Sequence, residues 1–188
     1  VVTMSATPRA VDDEVVELTE ADAEDAVLGP RLTASKPARL YLVEAAKGRN
    51  WRAHLAEALV RSAVKFSADR RRRVGIIVNR VATAQLVRNA LRADGHDTLL
   101  LTGRMRPIER DAALDLWLTR ITAAPDRPNL ARSCFVVGTQ ALEVGADFDF
   151  DALVTECASV DALRQRFGRL NRLGQSIDSP AAIHIAAV

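Results

Sequence analysis

The chain has 188 residues, 48% hydrophobic and 27% charged, with a net charge of +2, a composition that builds one domain around an ordinary core. No apolar run approaches the roughly 20 residues that span a bilayer. The start "VVTMSATPRA" lacks a basic region followed by an apolar core, so no signal peptide is read, no membrane is expected as a partner and the expected location is cytoplasmic. A first residue of Val1, not Met, is what a piece of a longer polypeptide would show. The small net charge hides an asymmetry. Residues 1–29 hold eight acids and one base, Arg9, whereas residues 30–188 carry a net +9. A basic body with an acidic lead-in is compatible with nucleic-acid contact, although an arginine-heavy, alanine-heavy chain is also what a GC-rich genome writes.

Residues 1–4 read as the end of a strand. Residues 10–37 are acidic, lack a sustained apolar period and contain Gly29-Pro30 and Lys36-Pro37, so they read as a linker or surface loop. "ARLYLVEA" (38–45) is a strand. "NWRAHLAEALVRSAVKF" (50–66) is a helix with Leu55, Leu59, Ala63 and Phe66 on one face. "RRRVGIIVN" (71–79) brings a buried strand, followed by a helix over 81–94 with Leu86, Ala90 and Leu91 facing in. "DTLLLTG" (97–103) is a strand and "RPIERDAALDLWLTRI" (106–121) a helix, with Pro107 in its first turn. "SCFVVGT" (133–139) and "DALVTEC" (151–157) are strands. A helix over 159–172, capped by Ser159, and a last strand "AAIHIAAV" (181–188) complete the chain. Alternating strands and helices of this kind imply an α/β fold with a mostly parallel sheet covered by helices on both faces. Trp51 and Trp117 read as core.

Cys134 and Cys157 belong to no C-x-x-C pair and read as small buried apolar residues. His54, His96 and His184 are scattered, so no metal site is expected.

Ligands of parallel sheets bind beyond the carboxyl ends of the strands. There the chain places "SAT" (5–7), Asn79-Arg80, "TGRMR" (102–106) and "TQALEVGADFDFD" (139–151), with the arginine-rich "LRQRFGRLNRLG" (163–174) nearby. Hydroxyls, small residues and guanidiniums suit phosphate oxygens, to which arginine gives forked, charge-assisted hydrogen bonds. Gly168, in the middle of that last helix, costs roughly 1 kcal/mol there, which leaves packing, solubility or a phosphate as its reason.

In that order, "SAT", "TQALEVGADFD" (139–149) and "QRFGRLNR" (165–172) resemble motifs III, V and VI of superfamily two helicases. Gln165, Gly168, Arg169 and Arg172 match Q-x-x-G-R-x-x-R. Thr139, Gln140, Glu143, Gly145, Asp147 and Asp149 match T-Q-x-x-E-x-G/S-x-D-x-D. Within that superfamily, these stretches and "LTGRMRPIERD" (101–111) most resemble the helicase–nuclease of type I CRISPR interference.

The resemblance implies a C-terminal RecA-like lobe over 38–188, an inter-lobe linker over 10–37 and the tail of a first lobe over 1–9. ATP with Mg2+ would be held mainly by that first lobe, since no P-loop is present here. Arg172 matches the arginine finger on the γ-phosphate, Arg169 its companion, and Gln165 the polar residue near the γ-phosphate or attacking water. Asp147 matches the acid near the ribose hydroxyls, and Gly145 lies where the chain passes the nucleotide. Thr139, Asn79, Arg80, Thr102, Gly103 and Arg104 are the candidates for contact with a nucleic-acid strand. Arg164 and Arg166 match no phosphate position and read as surface or salt-bridging residues. Asp151 reads as a turn residue. The implied partners are single-stranded DNA, with RNA also open, the first helicase lobe and a CRISPR effector complex. The same residues would serve a repair or RNA helicase, and a non-catalytic nucleic-acid-binding lobe is the reading of a different class. The chain alone is expected to hydrolyse no ATP.

Overall fold

The computed structural model describes residues 18–43, 50–143, 147–174 and 182–187. The "SAT" stretch and Gly145 lie outside them. Six strands, β1 (Ala38–Leu42), β2 (Arg73–Ile77), β3 (Asp97–Leu101), β4 (Cys134–Gly138), β5 (Ala152–Glu156) and β6 (Ala182–Ala187), form one sheet in the order β1-β6-β5-β2-β4-β3. Every neighbouring pair is parallel. This is the α/β architecture that the strand–helix alternation predicts.

Side chains alternate across the sheet because the strand period is two. Val74, Ile76, Phe135, Val137, Ala152 and Val154 point to one face, where α3 (Trp51–Ser67) and α4 (Val81–Ala93) pack. On α3, Leu55, Leu59 and Ala63 are fully buried and Phe66 packs at the margin. On α4 the inward stripe is Ala84, Val87 and Leu91. Leu86, expected inside, is 41% exposed: the stripe follows the three-to-four spacing from Ala84 to Val87 to Leu91, and Leu86 lies outside it.

The opposite face receives Ile77, Leu99, Leu101, Val136 and Leu153. Its cover is less helical than the sequence suggests. The helix expected over 106–121 breaks at Leu116-Trp117 into α5 (Pro107–Asp115) and α6 (Leu118–Ile121), and the break turns Trp117 into the core. Phe148 and Phe150 fill the rest from an extended segment, which bridges Thr122 on one side and Leu170 on the other. Gly75 makes room for this: a Cβ there would stand 2.6 Å from the Phe150 ring.

Residues read as linker contain two short helices, α1 (Glu20–Glu24) and α2 (Leu28–Thr33). They lie against the end of the arginine-rich stretch. Gly174, at φ +68°, passes so close to the Pro30 carbonyl that no side chain fits between them.

Candidate functional site

Register brings the strand-end residues together. Leu101 and Ile77 both pair with Gly138, so Thr102, Val78 and Thr139 follow on three adjacent strands. Thr102 and Thr139 are 5% and 1% exposed. Their carbonyls accept from Met105 N at 3.1 Å and Leu142 N at 2.9 Å, which fixes the turns that leave the sheet. Of the other predicted strand contacts, Asn79, Arg80, Gly103 and Arg104 are exposed.

Arg166, on α7 (Val160–Phe167), is neither a surface residue nor idle. It is 3% exposed, and its guanidinium donates four hydrogen bonds. They reach Glu143 Oε1, Thr155 Oγ1 and the Glu156 carbonyl at 2.8 Å each, and Asn79 Oδ1 at 2.9 Å. The pairing with Glu143 is a buried ion pair. Asn79 is further held by its amide donating to the Cys157 carbonyl and its N–H donating to Glu156 Oε2, both at 2.8 Å. One arginine therefore ties together the ends of β2 and β5 and the segment after β4. Of the two sequence readings, surface or salt-bridging, the structure selects the second; a buried arginine and a solvated one look alike in a helix this rich in charge.

Ser159 accepts from Ala162 N at 3.4 Å and opens α7 as expected. The helix does not run to 172. It ends at Phe167, and Gly168 is its cap rather than its middle. Arg169 and Leu170 then run beside Phe150, with Phe150 N donating to the Arg169 carbonyl at 2.8 Å. Phe150 lies just before β5 begins. Arg169 and Arg172 are thus not at the carboxyl ends with Thr102 and Thr139; they lie on the flank toward the other end. The two sets of predicted site residues occupy two places, joined by Glu143. Its carboxylate holds Arg166, and its carbonyl accepts from Arg169 Nη2.

On the flank, Arg172 Nη1 pairs with Asp147 at 2.9 Å, an exposed contact. Burial first, then the charge of Arg172, lowers the pKa of Arg169. Below them Asp149 is 1% exposed and accepts from Arg172 N at 2.8 Å. Burial raises its carboxyl above the ordinary range, against the opposing pull of Arg127, whose Nη1 lies 3.0 Å away. Arg127 also reaches Asp151 at 2.8 Å, and Asp151 accepts from Arg73 N at 2.8 Å. Asp151 is therefore an ion-pair partner as well as a turn residue. Lys36 donates to the Phe167 carbonyl at 3.2 Å and so docks the segment after α2 on the end of α7. Gln165 is half-buried on α7 with no side-chain hydrogen bond among the described residues.

Cys157 is exposed, not buried as expected, because it follows β5 at the open carboxyl end. Cys134 is fully buried, and burial pushes its thiol up to about 11. Among the described residues no cluster of His, Cys, Asp and Glu could hold a metal ion, and no helix is long and apolar enough to cross a membrane.

The fold is that of a RecA-like helicase lobe. The C-terminal domain of the DEAD-box protein Dbp5 superposes with a TM-score of 0.54 at 17% identity, covering 84% of this chain and 78% of that one. The T. fusca Cas3-AMPPNP structure gives 0.63 at 22% identity, over 81% of this chain and 18% of that one. Residues 70–175 match the family model described as CRISPR-associated nuclease/helicase Cas3, C-terminal, and the chain belongs to that family. A Streptococcus thermophilus CRISPR-associated nuclease/helicase Cas3 is 39% identical over 111 residues, which span 58% of this chain and 12% of that relative.

Proposed function

We propose that this chain is the second motor lobe of an ATP-driven helicase that moves on single-stranded DNA in CRISPR interference. Family membership and the segregation of two polar sites on one rigid sheet support this reading. ATP with Mg2+ would supply the phosphoanhydride whose cleavage drives motion, held mainly by a first lobe. The flank of this lobe fits its phosphates: Arg169 and Arg172 stand together beside Asp147, with Arg172 at the surface. Arg172 would stabilise charge on the γ-phosphate, Arg169 would assist it, and Gln165 would orient the attacking water. Asp147 would accept from ribose hydroxyls, and Gly145 would pass close to the nucleotide. Positioned guanidiniums of this kind accelerate phosphoryl transfer by about 10³–10⁵.

Asn79, Arg80, Gly103 and Arg104 would track the strand by its backbone, without reading sequence, on turns held by Thr102 and Thr139. A CRISPR effector complex would deliver that strand. The carrying observation is the chain of contacts Arg169–Glu143–Arg166–Asn79, which joins the phosphate flank to the strand end. The test is ATP hydrolysis by the full-length polypeptide that contains this chain, and by the chain alone. The full-length protein is expected to hydrolyse ATP with strong stimulation by single-stranded DNA, and the isolated chain to be inactive. Hydrolysis indifferent to nucleic acid would contradict the reading.

A further inference from the structure

A second basic site lies on the far edge of the sheet, away from both places described above. Between edge strand β1 and the second half of α3 is a groove of about 360 Å³, lined by Arg39, Tyr41, Arg61, Ser62, Lys65 and His184. Three permanent cations converge there. Among the described residues neither Arg39 nor Lys65 has an acidic partner within 4.0 Å, and Arg61 has only a contact at that limit with Glu57, which His54 shares at 3.9 Å. Like charges gathered without counter-charge destabilise a fold, so a groove that keeps them is suited to an anion.

The floor is a relay of hydroxyls and imidazole. Ser62 Oγ lies 3.0 Å from Tyr41 Oη and 3.3 Å from His184 Nδ1. The His184 ring packs on Phe66 at 4.4 Å and meets Tyr41 edge-on at 5.9 Å. On the β5 side its register partner is Val154. With neutral imidazole accepting at Nδ1, Tyr41 donates to Ser62 and Ser62 donates to His184, and both hydroxyl protons are used within the relay. A proton on Nδ1 reverses that order. His184 then donates to Ser62, Ser62 donates to Tyr41, and the phenol proton is released to donate elsewhere. Burial first, then the charges of Lys65 and Arg39, hold the imidazole below its ordinary pKa. A bound anion would offset both charges.

We infer that the Arg39–Lys65–His184 groove binds a phosphate oxyanion, with the guanidinium and ammonium neutralising it and Tyr41 donating when His184 is protonated. The phosphate is either a nucleic-acid phosphodiester or a free ion, and the test separates them. The side-chain resonances of His54, His96 and His184 are followed through a pH titration of the chain. The titration is run in chloride, in inorganic phosphate at matched ionic strength, and with a short oligothymidylate.

The His184 midpoint should rise by about one unit in saturating phosphate, which is tenfold tighter binding to the protonated groove, while His54 and His96 stay put. In the double variant Arg39→Gln, Lys65→Gln the phosphate-induced rise should be lost. Both residues line an open groove, and unchanged His54 and His96 signals would report an intact fold. A response to the oligonucleotide at lower concentration than to phosphate makes the ligand a strand; a response to phosphate alone makes it a free ion. No His184-specific response to either, or one that survives in the double variant, overturns the inference.

Discussion

The Asp147 carboxylate holds the Arg172 guanidinium at 2.9 Å, so the acid assigned to ribose and the arginine assigned to phosphate grip each other. In the proposed roles, nucleotide would compete with this contact for part of each group's hydrogen-bonding capacity. The pair is weakly built for that purpose: its side chains are 40% and 72% exposed, and such pairs contribute at most about 1 kcal/mol. Asp147→Asn should therefore change unfolding stability by less than about 1 kcal/mol in urea titrations, while lowering ATP hydrolysis by the full-length protein.

Arg166 is the opposite case. Its ion pair with Glu143 is largely buried, at 4% and 12% side-chain exposure, and removing the arginine strands a mostly covered carboxylate. Arg166→Met should cost about 3–5 kcal/mol. Adding Glu143→Leu should recover much of that loss, because the stranded charge goes with it. A double-mutant cycle by urea denaturation measures the coupling; additive losses would show that the pair does not act as a unit.

Arg127 stands between two acids, Asp149 and Asp151. Burial already raises the Asp149 carboxyl, so the folded state takes up its proton before the unfolded chain does as pH falls. That group's cost is present at neutral pH and relieved in acid. Arg127→Met should raise the Asp149 pKa further, so the variant's deficit should be larger at pH 7.5 than at pH 5. Urea midpoints of both proteins at the two pH values check the sign.

Cys157 and Cys134 should separate cleanly toward a thiol reagent. Cys157 is exposed beside Asn79, whereas Cys134 is buried with its thiol pushed up to about 11. Only the thiolate attacks. One thiol should react in the native protein at pH 8 and two after unfolding, counted by mass spectrometry.

The strands were legible because apolar runs such as Val74–Val78 and Phe135–Val137 are short, continuous and bounded by polar residues. Helix ends were less so. Nothing in the spacing of "RQRFGRLNR" tells that the helix stops at Phe167, because the apolar positions keep their period while Leu170 turns to bridge Phe150. Tertiary pairing decided that boundary. Arg127 was missed, and the partner of Arg166 not foreseen, for a related reason: burial of an arginine depends on acids that arrive from other strands, here Glu143 after β4 and Asp149 and Asp151 before β5. Glu143 and Asp149 stand in the motif itself, and their spacing was the one signal that pointed to them; Asp151 lies two residues beyond it. The split of the site into a strand end and a flank was likewise invisible, since it follows from α7 running back along the sheet.

The most direct measurement is the steady-state ATP hydrolysis of the full-length protein carrying Arg172→Ala, with single-stranded DNA present. Its thermal unfolding is followed in parallel. Arg172 is 40% exposed and among the described residues its side chain makes one surface ion pair, so the fold should persist. Hydrolysis should fall by about 10³-fold or more, the loss expected when a finger guanidinium leaves a phosphoryl-transfer site. A variant that melts like the parent and hydrolyses ATP within a few-fold of it would contradict the assignment of this lobe to the nucleotide site.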